Sequence, residues 1–220
     1  MSPNPTRTFS DELREGTAVE HDRAEHAPFV VALVDGRLPL EDFTRLVRQL
    51  HVVYTALEDV VAGCDDPDLA PLLAPELARG GVLADDLDHL AGADWSTTLP
   101  VLAATTTYAD RIREVGSTSR GGLLAHHYVR YLGDLSGGQI LGRIVARVYD
   151  LPDGRGTSAY HFAEIASPKR FKDAYRAGVD ALPWSAAERA RVVDEAIVAF
   201  QCNRAVFEAL DASRVVPAAP

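Results

Sequence analysis

The chain has few cysteines, almost no lysine and no long apolar run, and each scarcity removes a class of protein. Only Cys64 and Cys202 are cysteines among its 220 residues. They form no CxxC or Cys/His cluster, so neither a structural zinc nor a disulfide framework is expected, and a reducing cytoplasm fits. No apolar stretch approaches bilayer-spanning length, and Met1 to Phe9 is polar and proline-containing. Neither a membrane anchor nor a signal peptide is therefore expected. Basic residues are outnumbered, 22 Lys and Arg against 32 Asp and Glu, giving a net charge of −10. With no basic arm or aromatic-interleaved basic patch, this excludes a nucleic-acid partner. Lys169 and Lys172 are the only lysines, an arginine bias that points to a GC-rich bacterial genome.

Period-two alternation is absent as well, so no strand is expected and the fold class is all-α, in one domain over residues 10–212 with flexible termini at 1–9 and 213–220. A first helix is expected from Ser10 to His26, ending near Pro28. A second, Pro39 to Ala62, carries Leu40, Phe43, Leu46, Val47, Leu50, Val53, Tyr54, Leu57 and Val61 at three- and four-residue spacing, with Pro39 in its first turn. Shorter segments lie around Ala70 to Leu90 and Leu99 to Val115, with Gly80-Gly81 reading as a turn. A long helix spans Gly121 to Tyr149 and stops before Pro152-Asp153-Gly154; residues 153–167 form a loop. Pro168 to Ala181 and Ser185 to Leu210 close the domain, the latter N-capped by Ser185.

Several catalytic signatures are missing too. No GxxxxGK[ST], HExxH, GxSxG or EF-hand pattern occurs, and no histidine has a glutamate three positions before it, which removes the di-iron helical bundle.

What is present concentrates in Arg130-Tyr131-Leu132-Gly133-Asp134-Leu135-Ser136-Gly137-Gly138-Gln139, where three glycines interrupt an otherwise helical pattern. Each interior glycine costs roughly 1 kcal/mol relative to alanine. The cost asks for a reason, and close approach of a ligand to bare backbone is the usual one. Gly133 and Gly137 share a face, with Asp134 beside it. On the first helix Arg14, Thr17, His21 and Glu25 also share a face, so a carboxylate lies one turn beyond an imidazole; the spacing serves equally for a metal-bound histidine's partner or a solvated surface pair. Lys172 and Arg176 point the same way from a basic segment, suited to an anion or simply to solvent. His51 and His89 read as a core-edge and a surface histidine, and His126 and His127 as packing or capping residues.

Together these segments resemble the haem oxygenase family, in its soluble bacterial form. The resemblance spans nearly the whole chain. It is carried by His126 to Gln139, by Val19-Glu20-His21-Asp22-Arg23-Ala24-Glu25-His26, by Tyr54-Thr55-Ala56-Leu57-Glu58, and by Phe171-Lys172-Asp173-Ala174-Tyr175-Arg176. It implies haem sandwiched between a proximal and a kinked distal helix, as both substrate and cofactor. His21 would be the proximal axial ligand to haem iron, with Glu25 as its neighbour and His26 a bystander. Gly133 and Gly137, with Ser136 and Gly138 beside them, would leave room on the distal face for dioxygen. Asp134 would hold a proton-donating water network, with Arg130 and Tyr54 as partners. Lys172, Arg176, Arg14 and Tyr128 would meet the propionates, and Phe200, Asn203 and Phe207 would line the pocket.

The implied reaction opens haem at the α-meso carbon to biliverdin, carbon monoxide and ferrous iron, using O2 and electrons from a ferredoxin or flavin reductase. An imidazole ligand, less electron-donating than a thiolate, is consistent with that course. A cytoplasmic monomer is expected. Two alternatives stay open at this stage: a haem carrier or sensor without turnover, which Asp134 argues against, and a thiaminase-like helical enzyme, which would need an activated cysteine.

Overall fold

Helices account for the architecture that this computed structural model describes over residues 7–151 and 153–214, and among these residues there is no strand. The all-α expectation holds. Of the expected flexible termini, 1–9 and 213–220, residues 1–6 and 215–220 lie outside the described residues, as does Pro152 of the turn signal.

The first expected helix is two. α1 (Phe9–Gly16) and α2 (Ala18–Glu25) meet at Thr17, whose hydroxyl donates to the Leu13 carbonyl at 2.7 Å. Such back-bonding by threonine bends helices, and Gly16, the last residue of α1, adds its own weakness to the joint. Order also begins before Ser10, correcting that boundary: Thr8 caps α1, and the buried ring of Phe9 packs on Trp184 at 6.0 Å. At the other end Arg214 pairs with Asp42 at 3.0 Å, so the folded body runs past 212.

A seven-residue α3 (Pro28–Val34) follows, unforeseen because it is too short to show periodicity. α4 (Leu40–Ala62) buries Phe43, Leu46, Val47, Leu50, Val53, Tyr54 and Leu57, the stripe its spacing demanded. Pro39 sits at the cap, in extended backbone, rather than in the first turn. α5 (Gly80–Ala91) starts on the glycine pair expected to be a turn. The Glu58 carboxylate on α4 caps it, accepting from the amides of Arg79 and Gly80 at 2.5 and 3.0 Å. A Cβ at Gly80 would lie 2.7 Å from a Glu58 oxygen, so the glycine gives the capping carboxylate room to close on the amide rather than making a turn. The short α6 (Trp95–Thr98) and α7 (Ala103–Thr118) replace the segment expected over Leu99 to Val115.

The long glycine-bearing helix is a composite: α8 (Arg120–His127), two wide π-helical turns at Tyr128–Leu132 and Asp134–Gly138, then α9 (Gln139–Val148). Turns of this kind bend helices and gather at functional sites. α10 (Pro168–Asp180) and α11 (Ala186–Ala212) complete the fold. Ser185 caps α11 in a full capping box with Glu188, as expected of that serine. At 27 residues α11 is about 40 Å long. It packs on α8 and α7 and also touches α1, α2 and α3, while α4 packs on α7 and α5. The opening between α2 and the wide turns is thereby framed by α3, α4 and α11.

Candidate haem site

His21 leaves α2 half-exposed, facing the two wide turns across a cleft. The cleft has two adjoining parts of about 370 and 400 Å³. His21, Glu25, Val129, Gly133 and Phe200 belong to both. Phe200 holds the imidazole edge-on at 5.6 Å, and Glu25 lies 3.5 Å from its Nδ1, close enough to orient the ring electrostatically but longer than a direct hydrogen bond.

The opposite wall is bare backbone. Gly133 and Gly137 line the cleft, and a Cβ built on either would meet nothing within 4 Å. Gly133 has ordinary right-handed dihedrals (φ −60°, ψ −51°), so its conformation does not require glycine. The space beyond the strip, rather than any protein neighbour, accounts for the missing side chains. Gly138 is different: its Cβ would press on Asp134 at 3.2 Å, so it keeps that carboxylate in place.

Asp134 sits at this wall in a buried polar web. The Tyr54 phenol donates a short hydrogen bond to it. Arg130 lies 3.7 Å from the same carboxylate, donates to the Tyr54 oxygen at 3.2 Å and to the Asn203 side-chain oxygen at 2.9 Å, and its Nε has no partner among the described residues. Burial works against the Arg130 charge, but Tyr54 and Asp134 outweigh it and hold the guanidinium firmly protonated. Burial, with Asp134 adding to it, pushes the Tyr54 phenol well above its ordinary range, so it remains a donor. Tyr54 touches the cavity only through Asp134 and Arg130.

The outer part of the cleft gathers the cations. Arg14, Tyr128, Ser136 and Arg176 line it, and Lys172 donates to the Ser136 hydroxyl at 2.8 Å. Burial, and after it the neighbouring Arg176, lower the Lys172 pKa, so the two cations lie close enough to feel one another. Arg14 is the loosest of the set, exposed and paired with Asp11 at 2.8 Å. Phe200, Asn203 and Phe207 all face the inner part from α11. Every residue singled out from sequence is therefore at the cleft or one hydrogen bond behind it. The apolar floor, Leu33, Leu46, Leu50, Leu141 and Ile144, was not singled out, because apolar positions at helical spacing read as ordinary core.

Other charged groups are satisfied structurally. His126 bonds Glu195 at 3.0 Å and His127 bonds the Tyr175 hydroxyl at 2.9 Å, the packing roles expected of them. A separate cleft of about 480 Å³ beside α11 has Arg111 paired with Glu195 and Arg120 with Glu188. Burial, with Glu195 nearby, pushes the Cys202 thiol up, which is contrary to what a nucleophilic cysteine needs.

An exposed imidazole, a side-chain-free wall opposite it and a cationic rim fit a flat, iron-bearing dianion. The comparisons with known proteins agree. A family-wide sequence model described as "Heme oxygenase" matches residues 7–209.

The chain belongs to the haem oxygenase family.

It is 39% identical to the heme oxygenase of Porphyra purpurea, over 94% of this chain and 89% of that one. It is 40% identical to heme oxygenase 1 of Synechocystis, over 94% and 86%. The crystal structure of Synechocystis heme oxygenase-1 in complex with heme superposes with a TM-score of 0.88 at 40% identity, covering 93% of each chain. Heme oxygenase from Leptospira interrogans gives 0.86 at 35% identity, over 91% of this chain and 98% of that one. Members of this family are haem-degrading oxidoreductases, and haem serves them as substrate and cofactor together. Among the described residues no helix is long and apolar enough to cross a membrane.

Proposed function

We propose that this chain opens haem at the α-meso carbon, yielding biliverdin, carbon monoxide and ferrous iron, and that the residues described above do the protein's share of the work. The web of Tyr54, Asp134 and Arg130 at the glycine wall carries this reading, because a carrier has no use for a half-buried carboxylate across the cleft from His21. When bound, haem supplies both the oxygen-activating iron and the ring that is cleaved.

His21 would hold the haem iron, its ring plane set by Phe200 and Glu25. Gly133 and Gly137 let the macrocycle lie against the distal backbone, with Ser136 and Gly138 completing that wall. Asp134 holds water on the distal side and passes protons through it, while Tyr54 and Arg130 fix the carboxylate's orientation. Lys172, Arg176, Arg14 and Tyr128 would hold the two propionates and so orient the ring against the glycine wall. Phe200, Asn203 and Phe207 close the α11 side. We further infer a cytoplasmic monomer drawing electrons from a ferredoxin or a flavin reductase.

Adding hemin to purified apoprotein, then reductant and oxygen, tests the proposal. A Soret band that gives way to biliverdin absorption is expected. A stable Soret band without ring opening would make the protein a carrier or sensor. His21→Ala should lose the axially ligated spectrum and regain it with added imidazole.

A further inference from the structure

The short helix that carries His21 has its residue types sorted the wrong way round. The only buried side chains of α2 are Glu20 and Ala24, while the apolar Val19 is 62% exposed next to a glutamate at 7%. Glutamate is rarely buried unless paired, and an ion pair taken out of water adds little stability beyond what apolar packing would give. What such a pair supplies is direction, which apolar contact lacks.

Glu20 holds the third position of α2, where a glutamate commonly turns back to the helix cap. Here the Thr17 amide is already bonded to the Leu13 carbonyl at 3.1 Å, and the carboxylate turns to α11 instead. Arg23 donates to its Oε1 at 2.6 Å. Its Oε2 lies 3.9 Å from the Nε of Arg204, and among the described residues neither of these buried atoms has a hydrogen-bond partner. Each therefore answers the other's charge.

The contact is the last of a row along α11. Arg189 lies 3.4 Å from Glu12, Val193 fills the space that a Cβ on Gly16 would take, Phe200 meets the His21 ring at 5.6 Å, and Arg204 meets Glu20. Steps of four, seven and four keep these residues on one helix face. The first two contacts seat α1, which ends at Thr17, so α2 takes its rotation from the last two. Ala24 is too small to resist turning. Successive helical residues stand about 100° apart, so holding Glu20 against α11 aims His21 across the cleft.

On the reading that His21 holds the haem iron, we propose that Glu20 is its positioning residue. The carboxylate, clamped between Arg23 and Arg204, fixes the rotation of α2 and with it the direction of the imidazole.

Replacing Glu20 and Arg204 together with leucine tests this, since it leaves the half-exposed Arg23 and Glu208 in water and no buried charge unpaired. Apoprotein stability in urea should be unchanged or raised. The ring-proton NMR signals of His21, displaced in the apoprotein by the Phe200 ring, should move toward their free positions. In the ferrous haem complex the iron–histidine stretch should shift or broaden, and hemin affinity should fall about threefold to tenfold, because only a fraction of α2 orientations is competent. Glu20→Gln, which keeps the shape without the charge, should move the same signals by less. A double variant with wild-type ring signals and stretch would overturn the proposal, whatever its affinity. Wild-type protein with no iron–histidine band would instead sink the ligand assignment, and the apoprotein ring signals would still decide whether Glu20 aims the imidazole.

Discussion

Tyr54 donates its phenolic proton to Asp134 across 80 residues of sequence, and Arg130 bridges the pair. The carboxylate is thus oriented by a neutral donor on one side and a fixed cation on the other. Asp134→Ala should keep the Soret band of the hemin complex yet lose about 10²- to 10⁴-fold in biliverdin formation, the usual worth of a proton-transfer group. Tyr54→Phe should cost about tenfold, matching one hydrogen bond to a charged acceptor. Single-turnover absorbance measurements give both numbers, and an Asp134→Ala protein with full turnover would remove the relay.

Gly133 separates folding from function. A Cβ there meets no protein atom, so Gly133→Ala should stabilise the apoprotein by up to about 1 kcal/mol through helix propensity alone. The same methyl intrudes on the ligand's side of the wall, and haem affinity and turnover should both fall. Gly142→Ala is the contrasting case, destabilising by about 1–3 kcal/mol because Tyr160 blocks the added carbon. Urea unfolding of the apoproteins beside hemin titration distinguishes the two glycines.

Lys172 and Arg176 form the part of the rim anchored on α10. Replacing both with alanine should weaken hemin binding about tenfold, the loss of charge-assisted contacts partly exposed to solvent. The axial spectrum should persist, since His21 is elsewhere. Chromatography of the products should show isomers besides the α form; a single unchanged isomer at unchanged affinity would count against the propionate clamp.

His127 sets part of the acid sensitivity. Burial lowers its pKa from 6.5 to about 3, so the unfolded chain takes up a proton that the folded protein refuses. Stability should therefore fall as pH drops below about 6.5 and this contribution should level off near 3, with a slope of up to about 1.4 kcal/mol per pH unit. His127→Gln should flatten the curve between pH 6.5 and 4.5, above the range where ordinary carboxylates titrate. An identical slope in the variant would show that His127 does not carry the effect.

The sequence made some of this legible and hid the rest for identifiable reasons. The α4 stripe, the Ser185 cap and the glycine-bearing signature are local patterns, and local patterns survive reading one residue at a time. Gly80-Gly81 misled because its helix is started by Glu58, some twenty residues upstream. The break at Gly16-Thr17 was missed because a lone glycine is tolerated inside helices, and the bond from Thr17 to its own preceding turn leaves no mark in the sequence. Pro28 was read as an end when it opens α3. In the site, His21, Asp134 and the basic cluster stood out as polar groups in unusual company. Leu46 and Leu50 did not, since nothing in their spacing tells cavity floor from core.

The break at Thr17 has a mechanical meaning. It divides the iron-facing wall into two helices of eight residues each, below the length at which an isolated helix supports itself. Their order is borrowed from α11, against which both rest. The wall opposite is braced through Tyr131, Glu58, Arg79 and the loop beyond. On the proposed reading, the cleft thus has a jointed side and a cross-braced side, and a bound ligand would find the first the more yielding of the two.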